Sequence, residues 1–445
     1  MQVNVSQLID RSRVGGYQTF VILLCAMVAF LDGFDIQSMA LVVPRLTAEW
    51  GLPKSAFGPV LSASFAGIML GTMGLGLLGD RLGRRKTLIT SFVFVGVTSL
   101  ATAFAQNVEQ LMLARFLTGI GIGGCLPNAT ALTAEYVPAK RLSFLVTVTF
   151  SAVPFGGVVG GFLAGDLIAH WGWSAVFIAG GVIPLLISLI LLAALPESPK
   201  FLALRPAASQ RLGAILERID PAYRYQASHS FVVDHPQTKG ALRELFSDGR
   251  GGLTAVLWLV FFFSLFGMYL LTSWLPSVFT DAGWSMGAAI KTVSLFQMGG
   301  IIGGLAAGYL VDRWGPYLVL STMFLFAAVM TAAIGVLGGP AWLTLVLVGF
   351  AGFGVVGAQL GMTALAASVY PTSARSTGVG WALGVGRLGA VISPTAGGVA
   401  LSAHWSQPAL FGGAAVPSAV CAVAVFMLWL AGRPSRAAAR AAANS

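Results

Sequence analysis

The sequence predicts an all-α membrane protein of twelve transmembrane helices in two six-helix bundles. Three observations carry this: a composition too apolar for water, twelve separate apolar runs of spanning length, and basic residues confined to one set of connections. Of 445 residues, 56% are hydrophobic and only 9% are charged, where a soluble domain is about 25% charged. The net charge of +10 does not mark a nucleic-acid binder. The basic residues stand between long apolar runs, as in membrane proteins.

A helix needs about 20 mostly apolar residues to cross a bilayer. Runs of that kind lie at 17–42, 56–78, 87–105, 109–134, 144–166, 173–195, 253–279, 287–311, 317–337, 341–368, 377–400 and 408–431. The leading segment MQVNVSQLIDRSRVGG is polar and has no cleavable signal pattern, and the first run is too long for a signal peptide. The first run is therefore expected to stay as a membrane helix. Connections are short except at 196–250. The expected organisation is a bundle over 1–195, a linker over 196–250 and a bundle over 251–445. Within the linker QRLGAILERI has helical periodicity, so one or two short surface helices are expected there. Cys25, Cys125 and Cys421 are scattered through apolar runs, with no C-x-x-C pair, and read as small core residues.

Orientation follows from lysine and arginine. With the N-terminus inside, 21 of the 26 fall on cytoplasmic segments. Only Arg45, Lys54 and Lys291 fall outside, while Arg115 and Arg387 lie within spans. By the positive-inside rule both termini and the long linker are cytoplasmic. The halves also repeat. GLLGDRLG at 76–83 returns as GYLVDRWG at 308–315, and YVPAKR at 136–141 returns in character as YPTSAR at 370–375. Each pair falls at the same place in its half. Parallel halves with a site at the repeat interface are a transporter architecture.

GDRLGRRKT follows the second span. Gly79 and Gly83 permit a tight turn, Asp80 can pair with Arg84 or cap a helix, and the Arg84–Arg85–Lys86 cluster suits an anionic leaflet. The stretch resembles the loop between helices two and three of the major facilitator superfamily, and the likeness extends over all twelve spans. LDGFD in the first span, RFLTGIGIGGCLPNATALTAEYVPAKR across the fourth, and GVGRLGAVISP in the eleventh resemble its aromatic acid:proton symporters. The resemblance implies uptake of hydroxybenzoates, protocatechuate, benzoates or hydroxyphenylpropionates by bacteria that degrade them. It also implies functional roles for Asp32, Asp35, Asp80, Arg84 and Arg387. The second-half loop departs from the pattern. It keeps Asp312, Arg313 and Gly315 but has Pro316 and Tyr317 where basic residues would follow, so a weaker latch is expected there.

Asp32 and Asp35 stand in the otherwise apolar AFLDGFDIQSMALVV. A charge at the centre of a membrane helix costs about 2.5–3.5 kcal/mol on insertion scales. Spacing i, i+3 puts both acids on one face. Burial and mutual repulsion favour the protonated form, and an acid that titrates while reachable from alternate sides carries a proton. At least one of the pair is expected to do so; the structural alternative is a cap or kink around Gly33. Arg387 interrupts the eleventh span and can hold a carboxylate with its planar fork. It is either the counter-charge of an aromatic acid or the standing partner of a first-span acid. Arg115, Glu135, Arg141 and Arg375 read as gate and latch charges with Asp80, Arg84 and Asp312. Phe34, Tyr269 and Trp274 offer stacking surfaces, and Asn128, Gln297 and Gln359 offer hydrogen bonds, to an aromatic substrate.

The expected protein is thus no enzyme but a proton-coupled importer of an aromatic carboxylate, working by alternating access as a monomer in the bacterial inner membrane. Its partners are the substrate, protons and the lipid bilayer, with no nucleic acid, metal or cofactor. GIGIGG has the letters of a dinucleotide fingerprint but no preceding strand and lies in a span. VPFGGVVGG at 153–161 loosely resembles the helix-five motif of facilitator antiporters, which keeps a drug exporter as an alternative. A carrier of other organic acids or sugars and a non-transporting sensor are the remaining rivals.

Overall fold

The structure, a computed structural model, describes residues 2–226, 229–232, 242–247, 250–337, 340–370 and 374–431. Among these, twelve α-helices reach twenty residues or more. They are α1 (Gly16–Trp50), α2 (Gly58–Leu82), α3 (Arg84–Ala103), α4 (Val108–Tyr136), α5 (Ala139–Trp171) and α6 (Ser174–Ala194), then α7 (Gly251–Asp281), α8 (Met286–Trp314), α9 (Pro316–Val336), α10 (Ala341–Val369), α11 (Arg375–Ser402) and α12 (Gln407–Ala431). Ten of them are long and apolar enough to cross a membrane. The other two, α4 and α11, match the rest in length at 29 and 28 residues. Their hydropathy is lowered by Glu109, Arg115 and Glu135 in one, by Arg375 and Arg387 in the other, and by many small residues in both.

Two compact units form: Met1–Ser38 with Ala63–Gln237, and Met39–Ser62 with Thr238–Ser445. The same packing recurs inside each. In unit one α2 and α4 meet through glycines. A Cβ at Gly67 or Gly71 would run into the carbonyls of Phe116 and Ile120, and one at Gly119 or Gly123 into those of Ser64 and Ile68. In unit two α8 and α10 do likewise, with Gly299 and Gly303 against the carbonyls of Gly349 and Phe353. The first and fifth helices of each half also meet this way, Gly33 against Val153 in unit one and Gly389 against Phe262 in unit two. In turn α3 packs on α4 and α6, as α9 packs on α10 and α12. Lipid offers helices no hydrophobic drive to associate, so close backbone approach supplies the van der Waals contact instead. The repeat in the sequence is therefore also a repeat in which helices need small residues.

Unit two contains the end of α1, the 3-10 turn Lys54–Phe57 and the start of α2. Lys54 Nζ donates to the Ser277 carbonyl at 2.8 Å and pairs with Asp281, both at the end of α7. Ser62 and Thr395 join their hydroxyls at 2.7 Å.

In unit one the polar leader is ordered in a way its sequence does not announce. Gln2–Asn4 forms a short parallel ladder with Ser230–Val232. A short helix, Val5–Arg11, follows, capped by the Asn4 side chain accepting from Gln7 N at 3.1 Å. Asp10 then caps α5, accepting from Ala139 N at 2.8 Å. The linker carries two helices, Pro199–Ala203 and the amphipathic Ser209–Ile219, which buries Leu212, Ile215, Leu216 and Ile219. Three-residue strands have too little pattern to be read, and the partner of this one lies in the linker.

Candidate functional site

Four helices of unit one bring side chains to one buried point. α1 supplies Asp32 and Asp35, both 1% exposed, and α4 supplies Arg115, with no exposure at all. The Arg115 fork grips the Asp35 carboxylate with both arms. Nη2 donates to Oδ2 at 2.7 Å and Nη1 to Oδ1 at 3.2 Å. Nη2 also donates to the Asp35 carbonyl at 3.1 Å. Ser99 of α3 donates to Asp35 Oδ1 at 3.2 Å, and Phe177 of α6 lies under the guanidinium, 5.4 Å from its carbon. Two-armed contacts of this kind are the strong, orienting form of the ion pair.

Asp32 is treated differently. Both of its carboxylate oxygens are buried with no nitrogen or oxygen partner among the described residues. The polar group beside it is the Cys125 thiol of α4. Two acids one helical turn apart thus have different surroundings, one matched by a cation and one with only a thiol beside it.

Unit two holds the second charge. Arg387 of α11 is partly buried beside Tyr269 of α7 and makes no ion pair with any described residue. Elsewhere in unit two, Gln359 accepts from the Ser264 hydroxyl of α7, and Gln297 of α8 has its side-chain oxygen buried without a partner.

The other residues singled out in the sequence are engaged in packing. Phe34 lies against Gly160 and Gly180. Asn128 donates to the Gly124 carbonyl at 2.7 Å and the Leu75 carbonyl at 3.2 Å, tying α4 to α2. Trp274 donates to the Pro394 carbonyl at 2.9 Å. Asp32, Asp35 and Arg115 are brought together, as are Arg387 and Tyr269. Ser99, Cys125 and Phe177 complete the first group but were not singled out, because a serine, cysteine or phenylalanine in an apolar run gives no signal.

At the far end of α2, Gly83 turns the chain with φ 105°. Asp80 pairs with Arg84 at 2.6 Å, Arg84 with Glu135 at 3.6 Å, and Glu135 accepts from the Ser198 hydroxyl. Glu197 accepts from Arg85 N at 2.9 Å, and Tyr136 donates to the Glu197 carbonyl at 2.8 Å. The equivalent turn in unit two uses Gly315, φ 82°, with Pro316 opening α9. There Asp312 is exposed and makes no ion pair among the described residues, and Arg313 lies over Trp314 at 5.7 Å. Proline and tyrosine follow where unit one has two arginines. Arg141 and Arg375 are exposed at the starts of α5 and α11. Among the described residues no group of three or more His, Cys, Asp and Glu side chains could hold a metal.

Long apolar helices in two internally repeated units, with ionisable groups buried inside them, define a multi-pass membrane transporter. A family model described as Major Facilitator Superfamily matches residues 25–360 and 293–445, and the chain belongs to that superfamily. It is 40% identical over 430 residues to the 4-hydroxybenzoate transporter PcaK of Pseudomonas putida, covering 96% of this chain and 95% of that one. It is 38% identical over 425 residues to the gallate transporter of Pseudomonas putida, covering 95% and 94%. Among solved structures, the inward-open xylose transporter XylE from Escherichia coli superposes with a TM-score of 0.72 at 18% identity, over 93% of this chain and 95% of that one. That last likeness is one of fold. The family and these relatives are transporters, and the chain is not an enzyme.

Proposed function

We propose that this chain imports an aromatic carboxylate together with a proton, by alternating access, across the bacterial inner membrane. The observation that carries the proposal is the contrast between the two acids of α1. Asp35 is matched by Arg115, which on this reading serves as a standing counter-ion instead of a gate charge. Asp32 is buried with no cation and only the Cys125 thiol beside its carboxylate. An ionised carboxylate enclosed without a partner is so costly that the group takes up a proton instead. Asp32 is the proton carrier on this reading, loading where water reaches it and staying neutral when enclosed. Arg387 receives the substrate carboxylate, with Tyr269 beside it, since it makes no ion pair of its own among the described residues. The aromatic class is supported by the relatives, which carry 4-hydroxybenzoate and gallate. The Lys and Arg bias supports cytoplasmic termini. The carrier acts as a monomer, each chain holding both the acid and the arginine.

The test is uptake of labelled 4-hydroxybenzoate into proteoliposomes. Accumulation is expected with an inward proton gradient and is expected to collapse with a protonophore. Accumulation that persists after both pH gradient and potential are removed excludes proton symport. In the same vesicles Arg387→Ala removes a charged hydrogen-bond partner worth about 1.5–3 kcal/mol. Binding is expected to weaken roughly ten- to a hundredfold, with Arg387→Lys recovering only part because an ammonium lacks the fork. Unchanged affinity in Arg387→Ala overturns the substrate role.

Asp80 is assigned to the switching step. Its pair with Arg84 is more than half exposed on the acid side, and such pairs contribute under about 1 kcal/mol to stability. Asp80→Asn is therefore expected to fold normally and bind substrate within a few-fold of the parent, yet to exchange it more slowly. A large loss of equilibrium binding at normal exchange rates contradicts a latch.

A further inference from the structure

We propose that a cavity at the charged end of unit one binds one anionic phospholipid. The cavity has a volume of about 960 Å³ and lies among the ends of α2, α3 and α6 and the linker helices. Volumes of about 300–1,000 Å³ are those of real small-molecule sites. Its charge is one-sided. Arg85, Lys86, Arg205, Arg211 and Arg218 line it, against the single carboxylate of Glu197. One oxygen of that carboxylate, Oε1, accepts from Arg85 N and Ser198 N, each at 2.9 Å.

Several of the cations are held in place. Arg205 lies over Phe201 at 4.2 Å and Arg218 over Tyr17 at 5.4 Å. Arg85 Nη2 donates to the Leu192 carbonyl at 2.6 Å, which leaves its Nε buried without a partner. Lys86 and Arg211 are exposed and make no ion pair among the described residues. Like charges gathered on fixed side chains repel one another, and an anion relieves the repulsion while satisfying the open donors.

The remaining wall is apolar and decides what kind of anion fits. Leu82, Ile89, Leu192 and Phe201 line it, and Leu82 and Leu192 are 45% and 52% exposed. These residues sit at or just beyond the ends of membrane helices, the depth at which head groups give way to acyl chains. A soluble phosphate would use the cations and leave that wall wet. A phospholipid places its phosphate on the arginines and its chains along the leucines. Basic pockets between membrane helices are suited to such head groups.

The test uses the purified full-length chain in detergent and native mass spectrometry, with phosphatidylglycerol, phosphatidylcholine or glycerol 3-phosphate added. One phosphatidylglycerol per chain is expected to be retained, at least about tenfold more tightly than phosphatidylcholine, with no competition from glycerol 3-phosphate. Lys86→Gln with Arg211→Gln removes two cations that hold no ion pair, so the fold is preserved. At about 1 kcal/mol for each basic residue, retention is expected to fall on the order of tenfold or more. Arg211→Glu is expected to fall further. Equal retention of phosphatidylcholine, unchanged retention in the variants, or displacement by glycerol 3-phosphate each overturns the proposal, the last in favour of a soluble phosphate. Lipid retention is read without transport, so it stands or falls separately from the coupling scheme.

Discussion

Asp32→Asn is expected to abolish uphill accumulation of substrate while exchange of labelled for unlabelled substrate across the membrane continues. The result follows from the surroundings of the side chain. An amide has nearly the shape of the protonated acid but cannot release a proton. A carrier fixed in that form moves loaded in both directions and cannot be driven by a gradient. The substitution also removes an acid buried with no cation beside its carboxylate, so no ion pair is lost and the protein is expected to fold at least as well as the parent. Counterflow and gradient-driven uptake, measured on the same vesicles, separate the two activities. Gradient-driven accumulation at the parent's level in Asp32→Asn removes Asp32 from the coupling step.

Asp35→Asn, three residues along the same helix, is expected to give a different result: loss of the folded carrier itself. Asp35 is the acid that faces Arg115, and Arg115 is completely buried. Removing one member of a buried pair leaves the other as an uncompensated charge, at a cost of about 3–5 kcal/mol. Whole domains are stable by only about 5–15 kcal/mol. The single variant is expected to give little monodisperse protein in detergent and a lowered unfolding temperature. Asp35→Asn combined with Arg115→Gln restores a neutral pair and is expected to recover most of the yield. Thermal unfolding of the two single variants and the double measures the coupling. A single Asp35→Asn as stable as the parent shows that the pair is not structural.

These opposite outcomes mark the limit of what the sequence discloses. The apolar runs are enough to place twelve helices, because a bilayer imposes a minimum length that few other constraints produce. The two acids and the two span arginines also stand out, since ionisable groups in lipid need a reason. What cannot be read is which acid meets which arginine. Asp35 and Arg115 come from different helices, and they meet because α1, α3, α4 and α6 converge around them. That convergence depends on packing distances set by glycines, which look alike from one helix to the next. Asn128 and Trp274 show the same limit from the other side. In a sequence they look like polar hooks aimed at a ligand. In the structure Asn128 donates to backbone carbonyls of its own helix and of α2, and Trp274 to a carbonyl of α11.

The Asp35–Arg115 grip also bears on which energy source can do work. Its two charges cancel, and on the proposed reading Asp32 alone carries the proton. The proposed cycle then carries one proton with one monoanion, and the loaded complex crosses with no net charge. Membrane voltage acts only on net charge, so it neither helps nor opposes such a step. The pH difference alone sets the limit, at about 1.36 kcal/mol, or tenfold in concentration, for each unit. Such a carrier would concentrate its substrate from acid surroundings and give it back to alkaline ones, whatever the cell's electrical state.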